Sequence, residues 1–142
     1  MRVYLLTLSA FVVTFCLYAC KKNSENIVAN GAIKVKYEII SDLPFSNDPA
    51  YTILNNIGYT NGTYNVEMIT NLSGKTWIKE FTIQEPQKRM IAVEGTVLLK
   101  GLNGKVTTKV YINGVVKSET NQTVQKVSSE LSMATINAAY NL

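Results

Sequence analysis

Residues 105–120 read KVTTKVYINGVVKSET, and this stretch decides the fold class. Val106, Val110 and Ile112 share one face of an extended chain, because successive side chains of a strand point to opposite faces. Asn113-Gly114 then supplies the two residues of a type I′ turn, both of which must adopt positive φ. The stretch therefore predicts a β-hairpin with one strand on each side of the turn.

The same period of two recurs outward from this hairpin, in residues 33–39, 77–83, 90–100 and, less regularly, 127–140. Apolar and polar side chains alternate in the first three of these stretches, as expected for half-buried strands. Gly95 interrupts the third stretch and is interpreted as a β-bulge. Seven or eight short strands separated by turn residues predict an all-β, antiparallel β-sandwich, with a closed barrel as the alternative.

A second Asn-Gly pair, Asn61-Gly62, predicts another two-residue hairpin. Counting outward from that turn gives the register of the paired residues: Tyr59 with Tyr64, Ile57 with Val66, and Asn55 with Met68. This register would place mostly apolar pairs on one face of the hairpin and polar pairs on the other.

The N-terminal segment has the pattern of a bacterial lipoprotein signal. Arg2 precedes an apolar run that ends in Leu17-Tyr18-Ala19-Cys20, where Leu17 and Ala19 match the signal-peptidase recognition positions and Cys20 is the lipidation site. We expect residues 1–19 to be removed, residues 20–31 to form a polar tether and residues 32–142 to form the sandwich. An ordinary secretory signal and an uncleaved anchor helix are the alternatives.

Composition argues against most catalytic chemistry. The chain has no histidine, and its only other cysteine, Cys16, would leave with the signal. The mature domain then lacks the ligands of a thiolate or imidazole zinc site and the usual base for a nucleophile. Its basic residues are scattered along the chain, which is not the pattern of a nucleic-acid-binding surface. We therefore expect no enzyme activity, no metal, no cofactor and no nucleic-acid partner.

Three small groups of residues could carry chemistry in principle, and each has a simpler explanation. They are a calcium site at Glu38, Asp42 and Asp48, a glycosidase pair among Glu80, Glu85 and Glu94, and a Ser-Lys pair at Ser128-Ser129 with Lys126. Turn formation and a solvated surface account for these residues equally well. An aromatic platform for sugars is a fourth possibility, but we expect its residues to pack in the core: Tyr59, Tyr64, Trp77, Phe81 and Tyr111.

The order of these motifs resembles the small immunoglobulin-like β-sandwich domains of bacterial lipoproteins. The residues that carry the resemblance are Tyr37-Glu38-Ile39, Tyr59-Thr60-Asn61-Gly62, Trp77-x-Lys79-x-Phe81, Ile91-x-Val93, Gly104-Lys105-Val106-Thr107 and Val110-Tyr111-Ile112-Asn113-Gly114. The layout is also similar to the soluble part of the mycobacterial membrane protein small family, whose members are anchored by a transmembrane helix and assist lipid exporters. The start at Cys20-Lys21-Lys22-Asn23 resembles lipoproteins of the Bacteroidetes. These resemblances imply an immunoglobulin-like sandwich and no catalytic residue.

The sequence thus predicts a lipoprotein of the cell envelope, anchored in the outer membrane through the lipid on Cys20. Its sandwich would be a non-enzymatic binding or structural module facing either the periplasm or the cell exterior. Its partner, a protein or a glycan, is not specified by any motif. The alternative is an accessory subunit of an envelope transporter or hydrolase system.

Overall fold

The computed structural model describes residues 31–69 and 71–142. These residues form two antiparallel sheets that pack face to face, so the predicted all-β sandwich is confirmed. The described part contains nine strands, the eighth of only two residues, against the predicted seven or eight. The signal, the tether up to residue 30 and the site residues Leu17, Ala19 and Cys20 lie outside the described residues.

Four strands form the first sheet: β1 (Ile33–Ser41), β4 (Thr76–Ile83), β6 (Lys105–Ile112) and β7 (Val115–Thr123). Their order across the sheet is β4-β1-β6-β7. Five strands form the second sheet: β2 (Asn56–Thr60), β3 (Val66–Ile69), β5 (Met90–Lys100), β8 (Gln125–Lys126) and β9 (Leu131–Asn141). Their order is β3-β2-β5-β9-β8, and two 3₁₀ turns at Pro49–Leu54 precede β2. Because the two sheets are separate, the closed-barrel alternative is wrong for the described chain.

The core lies between the two sheets and follows the predicted alternation. Its fully buried side chains include Val35, Tyr37 and Ile39 of β1, Ile91, Val93, Val97 and Leu99 of β5, Val106 and Val110 of β6, and Ile136 of β9. Ala134 and Ala138 also face this core, which lets β9 approach the first sheet closely. The run of small residues at 134–139 therefore belongs to a buried strand, as predicted.

The Asn113-Gly114 turn is confirmed. Asn113 and Gly114 have φ values of 51° and 81°, and Ile112 pairs directly with Val115. The Asn113 side chain accepts a hydrogen bond from the backbone N–H of Lys34 at 2.9 Å, which ties the turn to the start of β1.

The turn predicted at Asn61-Gly62 is wrong in length, although a hairpin does form there. Five residues, 61–65, connect β2 to β3, and within them the N–H of Asn61 donates to the carbonyl of Asn65 at 2.8 Å. Oδ1 of Asn61 accepts hydrogen bonds from the N–H groups of Thr63 and Asn65, and Tyr64 takes the left-handed conformation with φ 62°. A turn closed by an Asx side chain and followed by a left-handed residue is a common longer hairpin loop.

The longer loop shifts the register of β3 by three residues and inverts its faces. Tyr59 lies opposite Glu67 instead of Tyr64, and Ile57 lies opposite Ile69. Val66 and Met68, which the sequence analysis assigned to the apolar face, are 70% and 54% exposed on the outside of the sandwich. A shift by an odd number of residues produces this result because the side-chain period of a strand is two.

Gly95 does not form the predicted bulge. The register of β5 is continuous past Gly95 with both β2 and β9. The residue has φ 137°, and a Cβ built on it would lie 1.9 Å from the carbonyl oxygen of Asn56. A glycine is needed here because the backbone of β2 occupies the space of a side chain.

The strand directions give the sandwich two distinct ends. At one end, called the entry end, β1 begins, and it carries the loops at residues 61–65, 84–89 and 113–114. At the other, called the loop end, lie the connections at residues 42–55, 71–75, 101–104 and 127–130. The two ends are separated by the length of β1, about 30 Å for nine residues at the usual rise of a strand.

Candidate functional site

A cleft of about 870 Å³ lies at the loop end of the sandwich. Three separate segments line it: residues 44–51, residues 72–74 and the turn at residues 128–131, with Lys100 between them. Buried Phe45, Leu72 and Leu131 form its apolar floor. The rim is polar, with the exposed side chains of Lys100, Glu130, Ser73 and Ser129.

Backbone hydrogen bonds to the end of β5 hold the first segment in place. The N–H of Ser46 donates to the carbonyl of Leu98 at 2.9 Å, and the N–H of Lys100 donates to that of Pro44 at 2.8 Å. Asp48 then accepts a hydrogen bond from the N–H of Ala50 at 2.9 Å and caps the 3₁₀ turns that begin at Pro49. The Asp48 carboxylate is thereby committed to the local fold.

Further hydrogen bonds join the other two segments to this frame. Nδ2 of Asn47 donates to the carbonyl of Leu72 at 2.7 Å, and the N–H of Phe45 donates to that of Gly74 at 2.8 Å. The N–H of Gly101 donates to the carbonyl of Glu130 at 2.7 Å. The cleft is therefore a fixed feature of the loop end, and its rim offers one ammonium group, one carboxylate and several hydroxyl groups for hydrogen bonding.

The carboxylates considered from the sequence do not converge. Glu38 lies on the outer face of the first sheet, where it accepts a hydrogen bond from Tyr111 at 2.6 Å. Asp42 accepts one from the N–H of Lys105 at 2.9 Å, and Asp48 caps the 3₁₀ turns. Residues 31–69 and 71–142 contain no group of three or more potential metal ligands.

The other two candidate sets are also dispersed. Glu80 is on β4 and Glu94 on β5, with both side chains exposed on opposite outer faces of the sandwich, while Glu85 is in the loop at residues 84–89. Oγ of Ser128 accepts hydrogen bonds from the N–H groups of Glu130 and Leu131, so it closes a turn. Lys126 has no hydrogen bond to Ser128 in the described structure.

Four of the five aromatic candidates pack in or against the core, as predicted. Tyr59 is buried, with its ring centroid 5.6 Å from that of Trp77, and Phe81 and Tyr64 are packed against the same core. Tyr111 contradicts the prediction because it lies on the outer face of β6, with Nζ of Lys36 3.8 Å from its ring centroid. Its hydrogen bond to Glu38 raises the pKa of the Tyr111 hydroxyl to about 12.

The observed register of β3 creates a polar cluster that the predicted register does not contain. Tyr59 donates a hydrogen bond to Glu67, and Nδ2 of Asn61 donates to the other Glu67 oxygen at 2.8 Å. Lys79 of the first sheet stands above the Tyr59 ring, with Nζ 5.4 Å from its centroid. The cluster therefore links the exposed edges β4 and β3 across the open side of the sandwich.

Hydrogen bonding within this cluster shifts the pKa values of its members. The bonds from Tyr59 and then Asn61 lower the pKa of the Glu67 carboxyl, because they favour its charged form. The contact with Tyr59 raises the pKa of Lys79, and burial followed by the bond to Glu67 raises that of Tyr59.

The lowered pKa of Glu67 predicts an acid-dependent contribution to stability. A carboxyl with a lowered folded-state pKa stabilises the fold above its ordinary pKa of 4.5, and that contribution is lost as the pH falls through the folded-state value. We expect the difference in unfolding free energy between wild type and Glu67→Gln to shrink as the pH is lowered from neutrality to about 3. Urea unfolding followed by the fluorescence of the single tryptophan, Trp77, measures this difference.

Glu80→Gln is the matched control, since Glu80 is exposed on the outer face of the neighbouring strand β4. Glu80→Gln should leave the free energy of unfolding at neutral pH close to that of wild type, because the Glu80 carboxylate accepts no side-chain hydrogen bond in the described residues. An equal pH dependence in both variants would contradict the role given to the Glu67 hydrogen bonds.

Comparison of the chain with protein-family models, with curated proteins and with solved structures gives no match. Within the part of the chain that the structure describes, no helix is long and apolar enough to cross a membrane. The resemblances drawn from the sequence therefore stay predictions.

Proposed function

We propose that this chain is a lipid-anchored protein of the cell envelope whose sandwich acts as a non-enzymatic binding or structural module. The observation that carries the proposal is Leu17-Tyr18-Ala19-Cys20 at the end of an apolar N-terminal run. Lipidation of Cys20 and removal of residues 1–19 would leave the protein at a membrane surface, and the outer membrane is the expected location. Lipoproteins with two or three acyl chains are stably anchored.

The placement of the cleft supports a binding role. The chain enters the sandwich at the entry end, where β1 begins at Ile33. Residues 20–31 connect this end to the anchor and reach at most about 40 Å when fully extended. The cleft lies at the loop end, about 30 Å from the point where the tether joins the sandwich, so a protein or glycan partner can approach it without meeting the tether.

The chemistry of the cleft favours binding over catalysis. Asp48 and Ser128 are used in local hydrogen bonds, and the chain has no histidine to activate a hydroxyl group. Nucleophilic catalysis by serine needs an adjacent base. Lys100, Glu130 and the serine hydroxyl groups on the rim can instead form hydrogen bonds with a polar ligand.

Metabolic labelling with a clickable fatty-acid analogue tests the anchor in cells that process lipoproteins. We expect the wild-type protein to be labelled and to sediment with membranes. Cys20→Ala should lose the label and leave the membrane fraction, because the acceptor sulfur is absent. Cys16→Ala is the matched control and should keep both properties. Label retained by Cys20→Ala would contradict the proposed function.

A further inference from the structure

The entry end has a surface of its own, distinct from the cleft. Its exposed basic residues are Lys34 at the start of β1, Lys88 and Arg89 in the loop at residues 84–89, and Lys117 on β7. The acidic residues at this end are Glu85, in the same loop as Lys88 and Arg89, and Glu67, which is bonded to Asn61 of the loop at residues 61–65. None of these four basic side chains is paired with a carboxylate in the described residues, where the ion pairs are Lys36–Glu38 and Lys109–Glu119.

Apolar side chains are exposed beside these charges. Val115 and Val116, directly after the Asn113-Gly114 turn, are 57% and 42% exposed, and Met90 at the start of β5 is 60% exposed. Lys117 lies close to both sheets at this end, since its Nζ is 6.0 Å from the ring centroid of Tyr140. Exposed apolar area and positive charge both strengthen the binding of a protein surface to an anionic lipid interface.

The loop end differs in charge. Its basic residues Lys75, Lys100, Lys105 and Lys126 are offset by three acidic ones, Asp42, Asp48 and Glu130. Ile53 is 87% exposed at this end, but it lies in the 3₁₀ turns that the Asp48 carboxylate caps, so its neighbour is an acidic residue. The entry end has four basic and two acidic residues, and the loop end has four basic and three acidic ones. The larger net positive charge therefore lies at the end where the chain enters, beside the exposed Val115, Val116 and Met90.

We propose that the entry end docks on an anionic phospholipid surface, with its basic side chains among the lipid phosphates and Val115, Val116 and Met90 at the depth of the headgroups. This inference rests on the proposed lipid anchor at Cys20, which brings that end to the membrane. Each Lys or Arg near an anionic surface strengthens association about fivefold. Without docking, the sandwich would tumble on its tether. Docking fixes its orientation, so the cleft points away from the membrane.

A thiol-reactive, environment-sensitive fluorophore tests this orientation on the lipidated mature protein. The sulfur of Cys20 carries the lipid and Cys16 has been removed, so an introduced cysteine is the only free thiol. The protein is labelled as Val115→Cys or as Ile53→Cys and incorporated into vesicles of phosphatidylcholine alone or with phosphatidylglycerol. We expect a blue shift and protection from iodide quenching at position 115 on the anionic vesicles, and neither at position 53.

Two charge reversals of equal size provide the control for electrostatics. Lys34→Glu with Lys88→Glu, at the entry end, should abolish the protection at position 115 while the acylated protein still floats with the vesicles. Lys75→Glu with Lys126→Glu, at the loop end, should leave the protection unchanged. All four side chains are exposed, so the fold should tolerate both pairs.

The outcomes separate failure of docking from failure of the anchor. An acylated protein that floats with anionic vesicles but leaves position 115 as readily quenched as position 53 overturns the docking proposal alone. A protein that is not acylated and floats with neither type of vesicle overturns the anchor and the docking proposal together. Equal loss of protection from the two charge reversals would also contradict docking through the entry end.

Discussion

Gly95→Ala is expected to lower the free energy of unfolding by about 4 kcal/mol, which approaches the total stability of a small domain. The new Cβ would lie 1.9 Å from the carbonyl oxygen of Asn56 and 2.8 Å from Cα of Ile57, so β2 must move away from β5. The φ of 137° adds strain for any residue with a side chain. Both effects act at the point where Ile57 pairs with Gly95 in the middle of the second sheet.

Gly58→Ala is the matched control, because Gly58 lies on β2 opposite Glu94, the residue before Gly95. The nearest atoms to its added Cβ would be side-chain atoms, Cγ1 of Val66 at 3.1 Å and Sδ of Met68 at 3.5 Å, and the backbone oxygen of Glu67 lies at an ordinary contact distance of 3.9 Å. Such side chains can move, so we expect a change within about 1 kcal/mol of wild type. Urea unfolding of both variants decides the question. Equal losses of stability would mean that β2 does not pack on β5 in this register.

Tyr37→Ala is the second substitution with a large expected effect, a loss of about 3–5 kcal/mol. The side chain is fully buried at the centre of β1, and its ring contacts those of Tyr59 and Phe81 at centroid distances of 6.0 and 5.6 Å. Its hydroxyl donates to the carbonyl of Thr60 at 3.0 Å and so connects the two sheets. Burial raises the pKa of this hydroxyl, which stays protonated as a donor.

Tyr37→Phe separates the ring from its hydrogen bond. The ring and its contacts remain, while the Thr60 carbonyl loses its donor, so we expect a smaller loss of about 1–2 kcal/mol. Unfolding in urea, with Trp77 fluorescence as the probe, measures both variants. If Tyr37→Phe destabilised the protein as much as Tyr37→Ala, the hydrogen bond and not the packing of the ring would be the main contribution.

Two Asn-Gly pairs, Asn61-Gly62 and Asn113-Gly114, show where prediction from sequence succeeds and where it stops. Asn113-Gly114 forms the predicted two-residue turn, and Asn113 also bonds to the adjacent strand β1. Asn61-Gly62 has the same local sequence, but the Asn61 side chain captures the N–H groups of Thr63 and Asn65 and widens the loop. Both the two-residue turn and the longer loop satisfy the hydrogen-bonding groups of the Asn-Gly dipeptide. The dipeptide alone therefore does not determine the length of the loop.

Because the predicted loop is too short, the predicted register also lacks the polar cluster at Tyr59, Asn61 and Glu67. The shifted register places Glu67 beside Tyr59 and within the reach of Asn61, whereas the predicted register paired Tyr59 with an apolar partner. The prediction that Tyr111 packs in the core is wrong because it conflicts with the alternation of β6. Its own strand alternates regularly, with Val110 and Ile112 buried, so the pattern already assigns Tyr111 to the outer face.

The cleft could not be predicted from local patterns. Its lining comes from segments as far apart as Phe45, Ser73 and Glu130, and the pairing of strands brings these together. The period of two does predict which residues of β1, β5 and β6 form the core, since burial against the opposite sheet selects every second side chain. Loop positions have no such period, so their side chains leave no signal in the sequence.

Mass spectrometry of the protein extracted from membranes tests the central claim most directly. Full-length protein is produced in a bacterium that processes lipoproteins, and the mass of its N-terminal peptide is determined. We expect the chain to begin at Cys20, with the added mass of a diacylglyceryl group on its sulfur. A peptide that retains Leu17 and Ala19, or that carries Cys20 as an unmodified thiol, would contradict the lipid anchor.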